Sequence, residues 1–322
     1  MEANARALAT TAIAPVAWGS TYFVTRHYLP SGIPLTGAAI RALPAGLLLL
    51  ALRPALPRGS WWWRTAVISL LTVGGFFVLI YVAGSRLPSS VAATLMACSA
   101  VATMLFAWPL LGERPRRRPV LGAVLGLAGV VALVGTSAVG LDAVGLAASL
   151  LAMLSSSLGF VLTKRWRPPV PPLTFAGWQL TFGGLVIAAV ALPVEGTPPA
   201  MGVQELLGFA YLVLVSTALA YVAWFAGLRR LDATSVGLVG LLNPLAGAVL
   251  GLVAGGESFT PVQAAGAAAV LAGVLVGVLA GGSGRRGGAE ARRLRGRACR
   301  VAVSAPGAAV APGQQADPVR RW

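Results

Sequence analysis

Charged side chains are scarce in this sequence of 322 residues. Asp, Glu, Lys and Arg together make up 11% of it, whereas hydrophobic residues make up 57%. A typical soluble domain has about 25% charged residues. The few polar residues could not cover the surface that a soluble fold of this length would expose. The composition therefore excludes an ordinary soluble protein and indicates a membrane protein.

Groups suited to catalysis or metal binding are equally few. There are nine acidic residues and two cysteines, and the single histidine, His27, is expected in a loop. No acid lies centrally in an apolar run, and no paired carboxylate, metal-ligand cluster or Ser–His pair stands at depth. The sequence therefore predicts no metal and no cofactor, and it disfavours a membrane-embedded enzyme. Cys98 lies in an apolar run and Cys299 in the tail, so no disulfide framework is predicted.

Long apolar runs recur along the chain. Each has about 19–23 residues, and a helix of that length spans the roughly 30 Å hydrocarbon core of a bilayer. The runs are continuously apolar rather than alternating, which excludes a transmembrane barrel. The sequence predicts an all-α polytopic membrane protein with ten transmembrane helices, near residues 7–25, 34–52, 64–83, 89–111, 119–137, 142–163, 172–192, 205–227, 233–254 and 261–280.

Two halves of the chain are related by an internal repeat. Residues 34–49 align with residues 172–187 at a spacing of 138, and Arg41 then falls opposite Gln179. A spacing of 144 matches later positions, namely Glu113 with Glu257, Gly122 with Gly266, Gly129 with Gly273 and Val130 with Val274. Since each half holds five predicted helices, an odd number, the second half starts from the opposite face of the membrane. We therefore predict two inverted repeats, residues 1–137 and 138–280.

Basic residues decide the predicted orientation. We assume ten helices with both termini in the cytoplasm and leave the tail out of the count. The cytoplasmic segments then hold 13 basic residues, and the outside segments hold two, Arg26 and Arg86. The positive-inside rule then predicts a multi-pass protein of the plasma membrane with both termini cytoplasmic. Residues 281–322, rich in Gly, Ala, Pro and Arg, are expected to form a disordered basic tail. The net charge of +16 reflects the loops and this tail and indicates no nucleic-acid partner.

Several short motifs accompany the repeat. They are Trp18-Gly19-Ser20-Thr21-Tyr22-Phe23, Arg41, Leu110-Leu111-Gly112-Glu113, the small-residue face from Gly122 to Gly129, Trp178-Gln179, Leu242-Asn243-Pro244-Leu245 and Gly256-Glu257. In this order, over residues 7–280, they resemble the EamA type of the drug/metabolite transporter superfamily. The resemblance implies ten helices around a central cavity and export of small metabolites or drugs in exchange for protons. Ser155-Ser156-Ser157 departs from the pattern, because a Trp often stands there in helix six.

Arg41 is the costliest side chain to place in the membrane. It lies seven residues past Pro34, or about 10 Å below the outer end of its helix. One interpretation is an arginine that faces a watery cavity and attracts anionic groups such as carboxylates. The other is a structural arginine that pairs with helix-end carbonyls or reaches the interface. Gln179, at the mirrored depth, is expected to contact either a ligand or a neighbouring helix.

Aromatic side chains are the next candidates for the cavity wall. Packing between helices is the alternative for each of them. Those that could contact substrate are Trp18, Tyr22, Tyr81, Trp178 and Tyr221, together with Phe77 and Trp224.

Asn243 and Pro244 predict a polar kink in helix nine. Proline leaves a backbone carbonyl unpaired in mid-helix, and Asn243 adds a polar group beside it. Asn243 is accordingly a candidate substrate ligand and Pro244 a candidate gate, although a purely structural kink explains them equally well. Pro44 brings a similar break to the first half and is a second candidate gate.

The remaining motifs are expected to be structural. Glu113 and Glu257 should cap helix ends, with proton coupling as the alternative. Gly122 and Gly126 on helix five, and Gly273 and Gly277 on helix ten, should let these helices pack closely, with homodimerisation as the second use.

The sequence as a whole predicts a secondary active transporter that exports small metabolites or drugs by alternating access. Its expected partners are a small-molecule substrate and the lipid bilayer, with protons as a candidate coupling ion. A channel is the main alternative, and a membrane-embedded enzyme is the other. The inverted duplication favours alternating access over a channel. Substrate, transport direction and coupling ion stay open.

Overall fold

A computed structural model describes residues 2–30, 32–86, 95–134, 142–254 and 260–279. Every regular element within these ranges is helical. The α-helices are α1 (Glu2–Tyr28), α2 (Pro34–Leu52), α3 (Trp61–Ser69), α4 (Gly75–Arg86), α5 (Ser99–Leu111), α6 (Arg117–Val134), α7 (Ala143–Trp166), α8 (Pro172–Glu195), α9 (Val203–Val213), α10 (Ala220–Arg230), α11 (Ala233–Val239), α12 (Leu242–Ala254) and α13 (Pro261–Leu279). Glu257 and the predicted tail at 281–322 lie outside the described residues.

Six helical stretches in the described ranges are long and apolar enough to cross a bilayer. They are Pro34–Leu52, Trp61–Ala83, Ala143–Trp166, Pro172–Glu195, Val203–Arg230 and Pro261–Val278. Two shorter apolar stretches, Leu95–Leu111 and Ala233–Gly247, accompany them. The prediction of an all-α polytopic membrane architecture is thereby confirmed, whereas the count of ten crossings stays a prediction.

Two predicted local features were wrong. His27 lies in α1 rather than in a loop, because its ring stacks on Phe23 one turn earlier, with ring centroids 4.2 Å apart. The apolar run at 233–254 forms two helices, α11 and α12, which are separated at Gly240 and Leu241. The break falls where Pro244 lacks the N–H that would bond the Gly240 carbonyl in a continuous helix.

Two π-helical segments occupy repeat-related positions. Leu70–Gly74 joins α3 to α4, and Leu214–Leu219 joins α9 to α10. At a spacing of 143, residues 70–74 correspond to residues 213–217, so the two irregularities nearly coincide in the repeat. A π-helix shifts its backbone hydrogen bonds, and such segments occur frequently at functional sites.

The repeat-related helices α2 and α8 pack against each other in a reciprocal way. Gly46 contacts Thr181, and a methyl group at Gly46 would lie 2.5 Å from the Thr181 Oγ1 atom. Gly184 contacts Leu43, and a methyl group there would lie 2.7 Å from the Leu43 backbone nitrogen. At the spacing of 138, Leu43 corresponds to Thr181 and Gly46 to Gly184. The two contacts therefore exchange when the repeats are exchanged, and the helices run antiparallel.

The second repeat-related pair, α6 and α13, behaves in the same way. A methyl group at Gly122 would lie 2.5 Å from the Gly273 carbonyl oxygen, and one at Gly129 would lie 2.7 Å from the Gly266 carbonyl oxygen. At the spacing of 144, Gly122 corresponds to Gly266 and Gly129 to Gly273, so these contacts also exchange. A methyl group at Gly122 would also lie 2.8 Å from the Gly277 nitrogen, and one at Gly273 would lie 2.6 Å from the Gly126 nitrogen. The prediction that Gly122, Gly126, Gly273 and Gly277 let the two helices pack closely is confirmed.

Candidate functional site

Arg41 extends from α2 to the π-helical segment between α9 and α10. Its Nε atom donates a hydrogen bond of 3.1 Å to the Oγ1 atom of Thr217, and a terminal nitrogen donates one of 3.3 Å to the carbonyl oxygen of Ser216. Its guanidinium carbon lies 5.3 Å from the centroid of the Phe77 ring. Arg41 is only partly buried. The cation is thus held on one side by oxygen atoms and on another by an aromatic face.

The π-helical segment also binds α1. The Ser216 hydroxyl donates a hydrogen bond of 3.0 Å to the Ala17 carbonyl oxygen. Thr217 is fully buried. This irregular turn therefore connects α1 and α2 through two consecutive polar residues, and it orients the Arg41 side chain.

An aromatic cluster includes Tyr221, which follows Thr217 by four residues. Trp18 packs edge-on against Tyr221, with ring centroids 5.7 Å apart, and in a tilted arrangement against Trp224, with centroids 5.2 Å apart. Phe160 adds a ring whose centroid is 5.3 Å from that of Trp224. The Trp224 Nε1 atom is buried and has no acceptor in the described part of the chain. Buried donors without a hydrogen-bond partner are rare in folded proteins, so this N–H group is a candidate for contact with a ligand.

Tyr221 connects the two π-helical segments. It follows the second segment in sequence, and its hydroxyl donates a hydrogen bond of 3.2 Å to the Thr72 carbonyl oxygen in the first. The hydroxyl of Thr72 donates to the Ile68 carbonyl oxygen at 2.8 Å and also lies 3.3 Å from the Gln179 Oε1 atom. A polar network thus runs between the two halves of the chain.

Gln179 does not join the Arg41 cluster. Its side chain is fully buried, and its amide nitrogen donates to the Thr65 carbonyl oxygen at 3.4 Å. Both ends of the amide are therefore engaged by the helix that carries the first π-helical segment. The contacts of the two residues nevertheless follow the repeat. Arg41 of the first half contacts the π-helical segment of the second half, and Gln179 of the second half contacts that of the first.

Three other candidates differ in their surroundings. Trp178 is buried, and its indole nitrogen donates a hydrogen bond of 2.5 Å to the Ala55 carbonyl oxygen, away from Arg41. Tyr81 is partly buried against the same core cluster as Tyr221. Tyr22 belongs to α1, but its side chain lies outside what the structure describes.

Asn243 and Pro244 lie at the start of α12, next to α1. A methyl group at Gly19 would come 2.6 Å from the Asn243 carbonyl oxygen, so the two backbones are in direct contact. The predicted unpaired carbonyl was wrong, because the Asn243 N–H donates to the Gly240 carbonyl oxygen at 3.1 Å. The tighter turn satisfies the acceptor that Pro244 cannot. Pro44 stands inside α2, which continues to Leu52.

Glu113, just after the end of α5, contacts the start of α11 and the end of α7. Its Oε2 atom accepts hydrogen bonds from the Ala233 and Thr234 backbone nitrogens, at 2.9 and 3.4 Å, and thereby caps α11. Its Oε1 atom lies 3.5 Å from the Lys164 ammonium nitrogen, which also donates to the Leu231 carbonyl oxygen. The prediction that Glu113 caps a helix end is confirmed.

Sequence reasoning missed the polar residues of the π-helical segments, namely Thr72, Ser216 and Thr217. Hydroxyl residues are common in membrane helices, so they carried no obvious signal. Adjacent hydroxyls in the middle of an otherwise apolar run, as at Ser216 and Thr217, are the feature that could have identified them.

The family of this chain follows from comparison with known sequences. The sequence model of the EamA-like transporter family matches residues 5–135 and 143–279. The chain belongs to the EamA-like transporter family. The family is part of the drug/metabolite transporter superfamily, as the sequence motifs predicted. This chain is therefore a multi-pass membrane protein of a transporter family.

Individual relatives agree with this assignment. Protein PecM of Dickeya dadantii is 40% identical over 242 residues, which cover 74% of this chain and 81% of that protein. The uncharacterised inner membrane transporter YedA of Escherichia coli K12 is 28% identical over 77% of this chain and 82% of its own length. A probable amino-acid metabolite efflux pump of Salmonella typhimurium is 28% identical over 80% of this chain and 89% of its own length.

A solved structure has the same fold. A protein crystal structure superposes with a TM-score of 0.74 and 23% identity, over 86% of this chain and 98% of that one. This similarity shows the fold alone.

Proposed function

We propose that this protein is a secondary active transporter of the plasma membrane that exports small metabolites or drugs by alternating access. The observation that carries the proposal is the partly buried Arg41, which is held by Thr217 and Ser216 beside the Phe77 ring. It lies about 10 Å below the expected outer end of its helix. A cation at such depth is costly unless it faces a polar cavity or a ligand.

The internal symmetry supports alternating access. The reciprocal contacts of α2 with α8, and of α6 with α13, are those of a two-fold rotation that exchanges the repeats. Since each pair is antiparallel, the axis is perpendicular to the helices. If the helices cross the bilayer, this axis lies in the membrane plane, which is the arrangement of inverted repeats. Inverted repeats require an odd number of crossings in each half, and the proposed five in each half fit this requirement.

The ion pairs support the same topology. Arg86 lies 3.5 Å from Asp142, and both residues belong to segments that are expected outside. Glu113 and Lys164 both belong to segments that are expected in the cytoplasm. The ion pairs therefore join helix ends that the ten-helix arrangement places on one side. Together with the bias of basic residues, this favours cytoplasmic termini.

The site favours a substrate with an anionic group and an apolar body. Arg41 supplies the positive charge, and the unpartnered Trp224 indole N–H supplies a further donor. Rings of Trp18, Tyr81 and Tyr221 offer surface for the apolar part. A small carboxylate such as an amino acid would fit this chemistry, and one relative is described as an amino-acid metabolite efflux pump.

The Glu113 cap is suited to act as the cytoplasmic gate. It joins the end of α5 to the start of α11, which belong to different repeats, and Lys164 supports it from α7. Opening toward the cytoplasm would require these contacts to separate. Asn243 and Pro244, beyond the break in the same predicted crossing, would let α12 move relative to α11.

The test is transport by purified protein in proteoliposomes with an imposed pH gradient. Matched pairs of amino acids and their amides should be compared, because the two members differ by one negative charge. The proposal predicts saturable flux, countertransport and preference for the carboxylate member. Flux without saturation or countertransport would indicate a channel instead, and covalent conversion of the solute would indicate an enzyme. Dependence on the pH gradient would identify protons as the coupling ion.

A further inference from the structure

A second arginine, Arg64, lies in a cage of three tryptophan side chains. Its guanidinium carbon lies 5.4 Å from the ring centroid of Trp61, 5.5 Å from that of Trp63 and 5.7 Å from that of Trp166. The Trp63 and Trp166 rings pack edge-on, with centroids 5.2 Å apart. Trp166 ends α7, whereas the other members begin α3, so the cage joins two helices.

Among the described residues, no oxygen atom accepts a hydrogen bond from this guanidinium. Its Nε atom is buried without a hydrogen-bond partner, and no carboxylate forms an ion pair with it in the described part of the chain. Arginine is permanently charged and presents five N–H donors in a planar fork that matches phosphate. The indole faces compensate part of the positive charge. They do not accept hydrogen bonds from the N–H groups, which point outward in the plane of the guanidinium. The buried Nε atom cannot meet an external ligand, whereas the terminal nitrogens, which are not among the buried atoms, remain able to donate to one.

The position of the cage indicates which acceptor. Arg64 lies three residues after the start of α3, or about 4.5 Å from the helix end. Trp62 and Trp63 are 56% and 52% exposed, at the end of a stretch that is able to cross the bilayer. Tryptophan prefers the headgroup level of the bilayer, where phospholipid phosphates lie. Arg167, the residue after Trp166, is exposed and adds positive charge.

We propose that Arg64 and its three tryptophans form a binding site for the phosphate of an anionic phospholipid. The guanidinium fork holds the phosphate, and the exposed indoles of Trp62 and Trp63 lie along the glycerol and upper acyl chain. The proposal is independent of what the protein transports. Anionic lipids recognised by basic clusters at the membrane surface follow the same chemistry.

Quenching of tryptophan fluorescence tests the site in the full-length protein. The protein is reconstituted into phosphatidylcholine vesicles with a minor fraction of phosphatidylglycerol, and dibrominated acyl chains are placed on one lipid or the other. At about 1 M salt the Debye length is about 3 Å, so general surface attraction is screened. The wild type should be quenched more by brominated phosphatidylglycerol than by an equal amount of brominated phosphatidylcholine.

Arg64→Gln should remove most of the excess quenching by brominated phosphatidylglycerol. The preference for phosphatidylglycerol over phosphatidylcholine should fall about fivefold. Arg58→Gln is the matched control, because it removes the same charge from an exposed side chain and should retain the excess. Arg64→Lys keeps the charge without the fork, so it should show a reduced preference. If Arg64→Gln does not fold, as judged by size-exclusion chromatography, the comparison of Arg64→Lys with Arg58→Gln decides the question.

Three results would overturn the proposal. The first is equal quenching of the wild type by both lipids. The second is a folded Arg64 variant with the same preference as Arg58→Gln. The third is a saturable fluorescence response to inorganic phosphate in pure phosphatidylcholine vesicles that disappears in Arg64→Gln, since it would identify a site for free phosphate.

Discussion

The Arg41 side chain of α2 is joined to Thr217 by a hydrogen bond of 3.1 Å from Nε to Oγ1. The two residues are 176 positions apart and belong to different repeats. The predicted repeat partner of Arg41, Gln179, contacts the other π-helical segment at Thr72, two residues before the counterpart of Thr217 at a spacing of 143. The two halves thus share one design, but only one of them carries a charge. We expect this asymmetry to determine which substrates are transported.

Arg41→Gln should reduce the transport of carboxylates more than that of their amides. A hydrogen bond to a charged group contributes about 1.5–3 kcal/mol, so the apparent affinity for the carboxylate should fall about 10- to 150-fold. Arg41→Lys should retain part of the preference. The measurement is competition for uptake in proteoliposomes. Equal losses for both members of each pair, with poor membrane insertion, would show that Arg41 is a structural anchor.

Thr217→Val should loosen Arg41 while keeping the volume of the side chain. The variant removes the acceptor of the Nε hydrogen bond, which should weaken carboxylate affinity by about 1 kcal/mol, or about fivefold. Thr174→Val is the matched control, because the Thr174 hydroxyl is buried without a hydrogen-bond partner. In the double variant with Arg41→Gln, Thr217→Val should add almost nothing. Full additivity would contradict the coupling of the two side chains.

Pro244→Ala should slow transport without unfolding the protein. An alanine N–H could bond the Gly240 carbonyl oxygen and so fuse α11 with α12 into one stiffer helix. The turnover rate should therefore fall, while the melting temperature stays equal or rises. Pro109→Ala, which changes a proline inside α5, is the comparison. An unchanged turnover rate in a variant with a continuous helix would show that the break is only structural.

Glu113→Gln should weaken the proposed cytoplasmic gate. It removes the ion pair with Lys164, whose partners are 22% and 18% exposed, while keeping an oxygen that can cap α11. We expect a loss of about 1 kcal/mol in stability and greater access of thiol reagents to cysteines introduced near α11 from the cytoplasmic side. Glu2→Gln serves as the control, since its ion pair with Arg6 is almost fully exposed. Unchanged access would argue against a gate at Glu113.

Gly122→Ala and Gly273→Ala should each destabilise the protein by about 1–3 kcal/mol, because the added methyl group meets backbone atoms of the facing helix. The internal two-fold predicts a similar loss from Gly129→Ala and Gly266→Ala. Gly37→Ala is the control, because its nearest neighbour would lie at an ordinary 3.8 Å. Thermal unfolding in detergent measures the effect. If Gly37→Ala were as damaging as the others, close helix contact would not be the cause.

Much of the candidate site could be predicted because a charge in an apolar run is conspicuous. Arg41, Trp18 and Tyr221 were identified by type and depth, and the structure brings Arg41 and Tyr221 to one short stretch of helix. Trp178 and Gln179 could not be placed in the same way, since a polar or aromatic residue in a membrane helix serves packing as often as binding. The direction in which each points depends on helix rotation, which an apolar sequence leaves almost undetermined.

The sequence by itself determined the membrane environment and the helical class, and it predicted the duplication. These follow from composition, from the length of the apolar runs and from self-similarity, which require no knowledge of contacts. Only the tertiary structure revealed the two π-helical segments, the break before Asn243 and the partners of Arg41. Helices in a bilayer satisfy their backbone hydrogen bonds locally, so their existence can be read from short stretches. Their irregularities depend on neighbours distant in sequence, as when Thr217 meets Arg41 across the two repeats.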